Sequence, residues 1–197
     1  MGDELAYRVV MIAGMAAFAP IGLYYRIRAY RAGGNVDRGA EGRFMLLTLR
    51  PVAAVSMASF VAYLIEPRWM AWAQLPLPPA LRWCGAPIGL LAGALIVWTF
   101  HNLGTNLTDT VVTRASATLV TRGPYRWVRH PFYAAFALAV IANSLMTANA
   151  FLAASATTAF VLIVVRTRGE EENLVRRFGD EYRDYMRRTG RFVPRVW

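Results

Sequence analysis

Five stretches of this chain are apolar over lengths that a water-facing element does not sustain. They run from about Leu5 to Tyr25, Phe44 to Ile65, Cys84 to His101, Pro131 to Met146 and Phe151 to Val165. A helix needs about 20 mostly apolar residues to cross a bilayer, and in lipid its backbone groups must pair with one another. The first three blocks come close to that length. The last two are shorter, and only Thr147-Ala148-Asn149-Ala150 separate them. That predicts a tight helical hairpin, with short arms met by bilayer thinning or by burial within the bundle. Composition agrees, since 56% of the residues are hydrophobic and 17% charged, where a soluble domain carries about 25% charge. The expected fold class is all-α: a polytopic membrane helix bundle of about five transmembrane helices plus a C-terminal amphipathic helix. That last helix is expected over about Arg168 to Arg188, where Leu174, Val175, Phe178, Tyr182, Tyr185 and Met186 share one stripe.

The basic residues lie between these blocks. The formal charge is +10, and all 22 basic residues are arginine. Five fall after the first block (Arg26, Arg28, Arg31, Arg38, Arg43), four before the hairpin (Arg114, Arg122, Arg126, Arg129), and nine from Arg166 onward. The connection after the second block has only Arg68 and Arg82, and the hairpin tip has none. With five spans, the three rich segments fall on one side. The positive-inside rule makes that side cytoplasmic, with the N-terminus outside and the C-terminus inside. Topology therefore accounts for the charge, and nucleic acid is not expected as a partner. Cys84 is the sole cysteine, so no internal disulfide or thiolate cluster is possible, and no metal site is expected. Asp3 and Glu4 precede the first block where a cleaved signal would be positive, so that block is expected to remain as a helix.

Several polar residues sit inside or beside the blocks. Arg8 is expected to snorkel to the headgroups, and Pro20 to kink its helix. Arg50-Pro51 places a charge within the second block, where it would pair with Glu66 or line a cavity. Gly33-Gly34-Asn35 reads as a turn. Trp69 and Trp72 suit the membrane interface. His101 reads as a boundary residue, and Asn106 and Asp109 as turn or cap residues.

Two clusters carry chemistry. Around Gly123-Pro124-Tyr125-Arg126-Trp127-Val128-Arg129-His130-Pro131-Phe132-Tyr133, a turn leads into a helix whose first position is proline, so arginine, imidazole and free backbone N–H groups meet at the membrane surface. The second cluster is Arg166 with Glu170, Glu171 and Glu172. Arg166 and Glu170 are four apart and share a helical face. The short hairpin returns Arg166 and Glu171 to the neighbourhood of Arg129 and His130, the convergence a site needs. The expected division is a three-helix region over residues 1–101 and a catalytic region over 102–197.

The stretch Leu119-Val120-Thr121-x-Gly123-x-Tyr125-x-x-x-Arg129-His130-Pro131-x-Tyr133, a hydrophobic hairpin, and Arg166-x-x-x-Glu170-Glu171-x-x-Leu174-x-x-x-Phe178-Gly179-x-x-Tyr182-x-x-Tyr185 together resemble the isoprenylcysteine carboxyl methyltransferase family. The wider group includes phospholipid methyltransferases. The resemblance covers about Gly104 to Pro194. It implies S-adenosylmethionine as cofactor, with Leu119, Val120, Gly123, Tyr125, His130, Tyr133 and Glu170 on the cofactor side. It implies Arg129, Arg166 and Glu171 at the reaction centre. It also implies a lipophilic small-molecule acceptor reached from membrane lipid, a carboxylate in the first place. Two other readings compete: a sterol-type membrane reductase using NADPH, which shares a Gly-x-Tyr…Arg-His-Pro-x-Tyr segment, and a non-enzymatic protein whose basic face grips anionic lipid.

Overall fold

A computed structural model describes residues 2–33, 45–104 and 118–195. The expected turn at Gly34-Asn35, together with Arg38, Arg43, Asn106, Asp109 and Arg114, lies outside the described residues. Within them the chain is helical. Helix α1 spans Gly2–Gly33, and a π-helical turn, Met45–Leu49, leads into α2, Arg50–Ile65. A 3-10 turn, Pro67–Ala73, and the short α3, Pro79–Trp83, precede α4, Gly85–Leu103. A second 3-10 turn, Gly123–Arg126, leads into α5, Pro131–Thr147; α6, Ala150–Phe178, and α7, Asp180–Arg188, complete the order.

Among the described residues, four helices are long and apolar enough to cross a membrane: Asp3–Arg31, Leu47–Ile65, Pro79–Leu103 and Ala150–Phe178; Pro131–Thr147 is a shorter apolar helix. Their outward faces are apolar, with Leu5, Leu23, Val55, Met57, Leu90 and Leu91 exposed. Such surface belongs against lipid rather than water. The chain is thus a multi-pass membrane bundle. Helix α5, with 17 residues, is about 25 Å long, short of a bilayer core of about 30 Å.

Sequence patterning misplaces three features. Arg26, Arg28 and Arg31 ride on the last turns of α1 rather than in a connection, because no helix breaker stands between Tyr25 and Gly33. Arg50 cannot pair with Glu66, since the two stand at opposite ends of α2. Residues 168–178 are not part of a separate surface helix. They continue α6 to Phe178, where Gly179 with φ of 58° ends it and only α7 remains as the terminal amphipathic piece.

Small residues let the central helices approach. Gly85, Gly89 and Gly93 recur every fourth residue on α4. A Cβ at Gly85 would lie 2.5 Å from the Ala142 carbonyl oxygen of α5, one at Gly89 would touch the Ala142 Cβ at 3.6 Å, and one at Gly93 would strike the Phe18 ring of α1. Close backbone approach is how helices associate where lipid offers no hydrophobic drive. Gly85→Ala is therefore expected to destabilise the bundle by about 1–3 kcal/mol through overpacking against backbone. Gly14→Ala, with open space around it, should be tolerated. Thermal unfolding of the two variants in detergent compares them directly.

The end of the bundle holding the N-terminus is closed by polar side chains. Arg8 reaches the end of α2. Its guanidinium donates to the carbonyls of Leu64 (2.5 and 2.8 Å) and Ile65 (2.6 Å), satisfying the C-terminal carbonyls of α2. Buried Arg82 donates to the Met146 carbonyl of α5 at 3.0 and 2.5 Å and to the Glu4 carboxylate of α1 at 2.8 and 3.2 Å. It also lies 3.9 Å over the Tyr7 ring, while Tyr63 of α2 donates to Glu4. The hairpin tip is buried too. Asn149 caps α6 by accepting from the Leu152 N–H at 3.1 Å, and its amide donates to the Met70 carbonyl at 2.7 Å. With this end fixed, both arms of the hairpin deliver their other ends to the opposite face.

Candidate active site

The site begins with a turn. Gly123 has φ of 60°, and a Cβ there would collide with the Asn102 side chain at the end of α4. Both the positive φ and the close approach require glycine. The turn it opens, Gly123–Arg126, is pinned to α7 by Tyr185, whose hydroxyl donates to the Tyr125 carbonyl at 2.6 Å. Pro131 then starts α5, where its missing N–H leaves nothing unpaired, and His130 takes the N-cap position. These constraints hold Arg129 and His130 at the mouth of the α5–α6 pair.

Helix α6 supplies the carboxylates. Its 29 residues span about 43 Å, more than a bilayer core needs, and residues 150–165 carry no charge. The turns from Arg166 onward therefore stand beyond the hydrocarbon. Here Glu170 and Glu171 point into the bundle, while Glu172 is exposed. Arg166 Nε lies 3.1 Å from Glu170 Oε1, the expected pairing across one turn. Tyr133 donates to the same Glu170 oxygen at 2.7 Å. Arg129 Nε donates to Glu171 Oε1 at 2.9 Å. His130 bridges the two acids: Nε2 is 3.2 Å from Glu171 Oε1, and Nδ1 is 3.8 Å from Glu170 Oε2. Its ring stacks on Tyr133 at 5.5 Å and meets Phe192 at 5.7 Å.

Burial alone would raise the Glu171 carboxyl. The hydrogen bonds from His130 and Arg129, and the Arg129 charge, outweigh it and pull the group down to about 2. Glu171 is thus a fixed anion at any physiological pH. Burial pushes the Tyr125 phenol above its usual range, with Tyr185 and Glu170 adding to the effect. Burial does the same to Tyr182, whose hydroxyl is enclosed and has no hydrogen-bond partner among the described residues.

The structure thus brings Arg129, His130, Tyr133, Arg166, Glu170 and Glu171 into one hydrogen-bonded and ion-paired group. Tyr125 joins through its backbone, and Gly123 shapes the approach. Leu119 and Val120 lie half-buried ahead of the turn, outside the ionic group. Arg129 spends Nε on Glu171 and Nη1 on the carbonyls of Thr189 (2.6 Å) and Met186 (3.2 Å) at the end of α7. With Nε and Nη1 it braces the frame. Pattern reading misses Asn102, Thr189, Arg191 and Phe192. No periodicity marks the last three, since they lie in irregular backbone beyond α7. An open cleft of about 590 Å³ runs beside Glu171, lined also by Arg168, Glu172, Val175, Arg176, Met186 and Arg191.

Comparison with known proteins shows what the chain is similar to. The model of the isoprenylcysteine carboxyl methyltransferase (ICMT) family matches residues 86–176. A methanethiol S-methyltransferase of Mycobacterium tuberculosis is 40% identical over 70 residues, covering 36% of this chain and 28% of that protein. The protein-S-isoprenylcysteine O-methyltransferase of Rattus norvegicus is 27% identical over 154 residues, covering 77% of this chain and 54% of that protein. The matched stretch is thus about half or less of the length of these relatives. The solved structure of a eukaryotic intramembrane Ras methyltransferase ICMT superposes with a TM-score of 0.57 at 21% identity, covering 93% of this chain and 67% of that one. At that identity the likeness is one of fold.

Proposed function

Residues 86–176 belong to the isoprenylcysteine carboxyl methyltransferase family, and from that premise we propose that the chain is an integral membrane methyltransferase that uses S-adenosylmethionine and acts on a small lipophilic acceptor, a carboxylate first of all. One observation carries this reading: His130 bridges Glu170 and Glu171, and Arg129 and Arg166 flank the two acids. The residues suit such a cofactor. Glu170 and Glu171 are carboxylates suited to its positive charge, aromatic Tyr133 and Phe192 stand on either side of His130, and an open cleft of about 590 Å³ runs along the Glu171 side of the group. Leu119, Val120, Gly123, Tyr125, His130, Tyr133 and Glu170 would hold it. When bound, S-adenosylmethionine supplies a sulfonium methyl that transfers by in-line displacement.

The chain's own residues then position and desolvate the reacting groups. A carboxylate acceptor is already ionised and needs orientation rather than a base. A thiol acceptor forms the second reading, favoured by the name of the 40%-identical relative. It must lose a proton, and His130 is the group placed to take it. Residues 102–197 would form the catalytic region, with Asn102 its first contact, and residues 1–101 the lipid-facing support. A radiolabelled methyl-transfer screen with small prenyl thioether acids, methanethiol and lipid extracts tests the reading. Label should pass to an acid, and Arg129→Ala and Glu171→Ala should abolish the transfer. Absence of label in every acceptor contradicts it.

By the positive-inside rule the arginine-rich site end and the C-terminus would face the cytoplasm and the N-terminus the outside. Exposed Cys84, at the start of α4, stands at the end opposite the site. A membrane-impermeant maleimide should therefore label it in intact cells. Labelling only after lysis would reverse the orientation.

A further inference from the structure

Beyond α7 the chain turns back as a strap. The Gly190 N–H donates to the Trp127 carbonyl at 3.0 Å, the Arg129 N–H to the Gly190 carbonyl at 2.9 Å, and the His130 N–H to the Arg191 carbonyl at 3.0 Å. Val128 and Gly190 form a parallel bridge. Gly190 is buried, and a Cβ there would collide with the Val193 carbonyl, so the strap can close only on glycine. It therefore lies against the two residues that hold Glu171.

The strap also brings its own cation to that acid. Arg129 and His130 both take Oε1 of Glu171, while Arg191 Nη2 sits 3.1 Å from Oε2. A carboxylate gripped on one oxygen can still swing about its last torsion. Gripped on both oxygens, from two separate chain segments, it cannot. Arg129 leans on the same strap through the Thr189 carbonyl.

We propose that Arg191 is a positioning residue of the site: by holding Oε2 of Glu171 it fixes the plane in which Oε1 meets Arg129 and His130. Its catalytic consequence rests on the methyltransferase reading, and its structural link to Glu171 does not. Two measurements on the purified full chain in nanodiscs separate these. In methyl transfer, Arg191→Ala should lower kcat by about 10- to 100-fold, the scale of a small misplacement, with KM changed less than about threefold. Arg191→Lys should recover part of the loss. In denaturant unfolding, a double-mutant cycle of Arg191→Ala and Glu171→Gln should be non-additive: losing Arg191 should shift the folding constant several-fold in the wild-type background and almost not at all in the Glu171→Gln background. Should Arg191→Ala fail to assemble, Arg191→Gln takes its place in both. An additive cycle, or an unchanged kcat in an active enzyme, overturns the proposal. A coupled cycle in a chain that transfers no methyl group overturns the methyltransferase reading and leaves the Arg191–Glu171 link standing.

Discussion

Glu171→Gln will lower methyl transfer by about 100-fold while leaving the helices assembled. Glutamine keeps the shape of glutamate, and its carbonyl can still accept from Arg129. Its other terminal group is a donor, however, and it would face the Arg191 guanidinium, also a donor. The charge that balances Arg129 and Arg191 disappears at a position where the Arg129 and Glu171 side chains are only 9% and 11% exposed. Removing one partner of such a pair costs about 3–5 kcal/mol of local stability. His130 loses the anion on its Nε2 side and keeps only the more distant Glu170 at 3.8 Å. A frame that loosens by about 1 Å loses about two orders of magnitude in rate. Turnover and cofactor affinity, measured on protein that still elutes as a monodisperse peak, give the answer. A variant with near wild-type kcat would remove Glu171 from the mechanism.

The second large effect lies at the opposite end of the molecule. Arg82→Met is expected to cost about 3 kcal/mol of stability, the lower end of the range for a broken buried pair because the Glu4 side chain is 30% exposed. The substitution removes the tie between α1 and the α5 end and leaves the Met146 carbonyl without its partner. It touches nothing in the site, so kcat per folded molecule should stay within about twofold of wild type by the additivity expected of distant positions. Reversing both charges, Glu4→Arg with Arg82→Glu, should restore part of the stability. Thermal unfolding followed by tryptophan emission, alongside turnover at low temperature, separates the two quantities. A parallel fall in kcat would mean that the two ends are coupled through the bundle.

Much of this architecture can be read from the apolar blocks, because lipid leaves a chain few ways to pair its backbone. The meeting of Arg129 and His130 with Glu171 is legible for a related reason: four residues between two helical arms leave no other place for the arms' far ends. Other features depend on contacts that no local pattern encodes. Arg82 looks like one more topology arginine until residues 4, 63 and 146 are seen around it. The charged turns of α6 look like a surface helix because hydropathy changes at Arg166, whereas the backbone runs on as helix through Gly169 and ends only at Gly179. Thr189 to Phe192 carry no periodicity, so their pairing with residues 127–130 is invisible before folding. Arg129 presents the same difficulty. Its residue type suggests a substrate grip, and only the carbonyls of Met186 and Thr189 show that its Nη1 is spent on the protein.

The group around His130, Glu170 and Glu171 is proposed to serve a methyl donor. Calorimetric titration of the nanodisc-embedded chain with S-adenosylmethionine, and separately with NADPH, tests it most directly. Saturable one-to-one binding of S-adenosylmethionine, weakened in Glu171→Gln, is expected, with no heat of binding from NADPH. Saturable binding of NADPH, or no binding of S-adenosylmethionine by a folded chain, would contradict it.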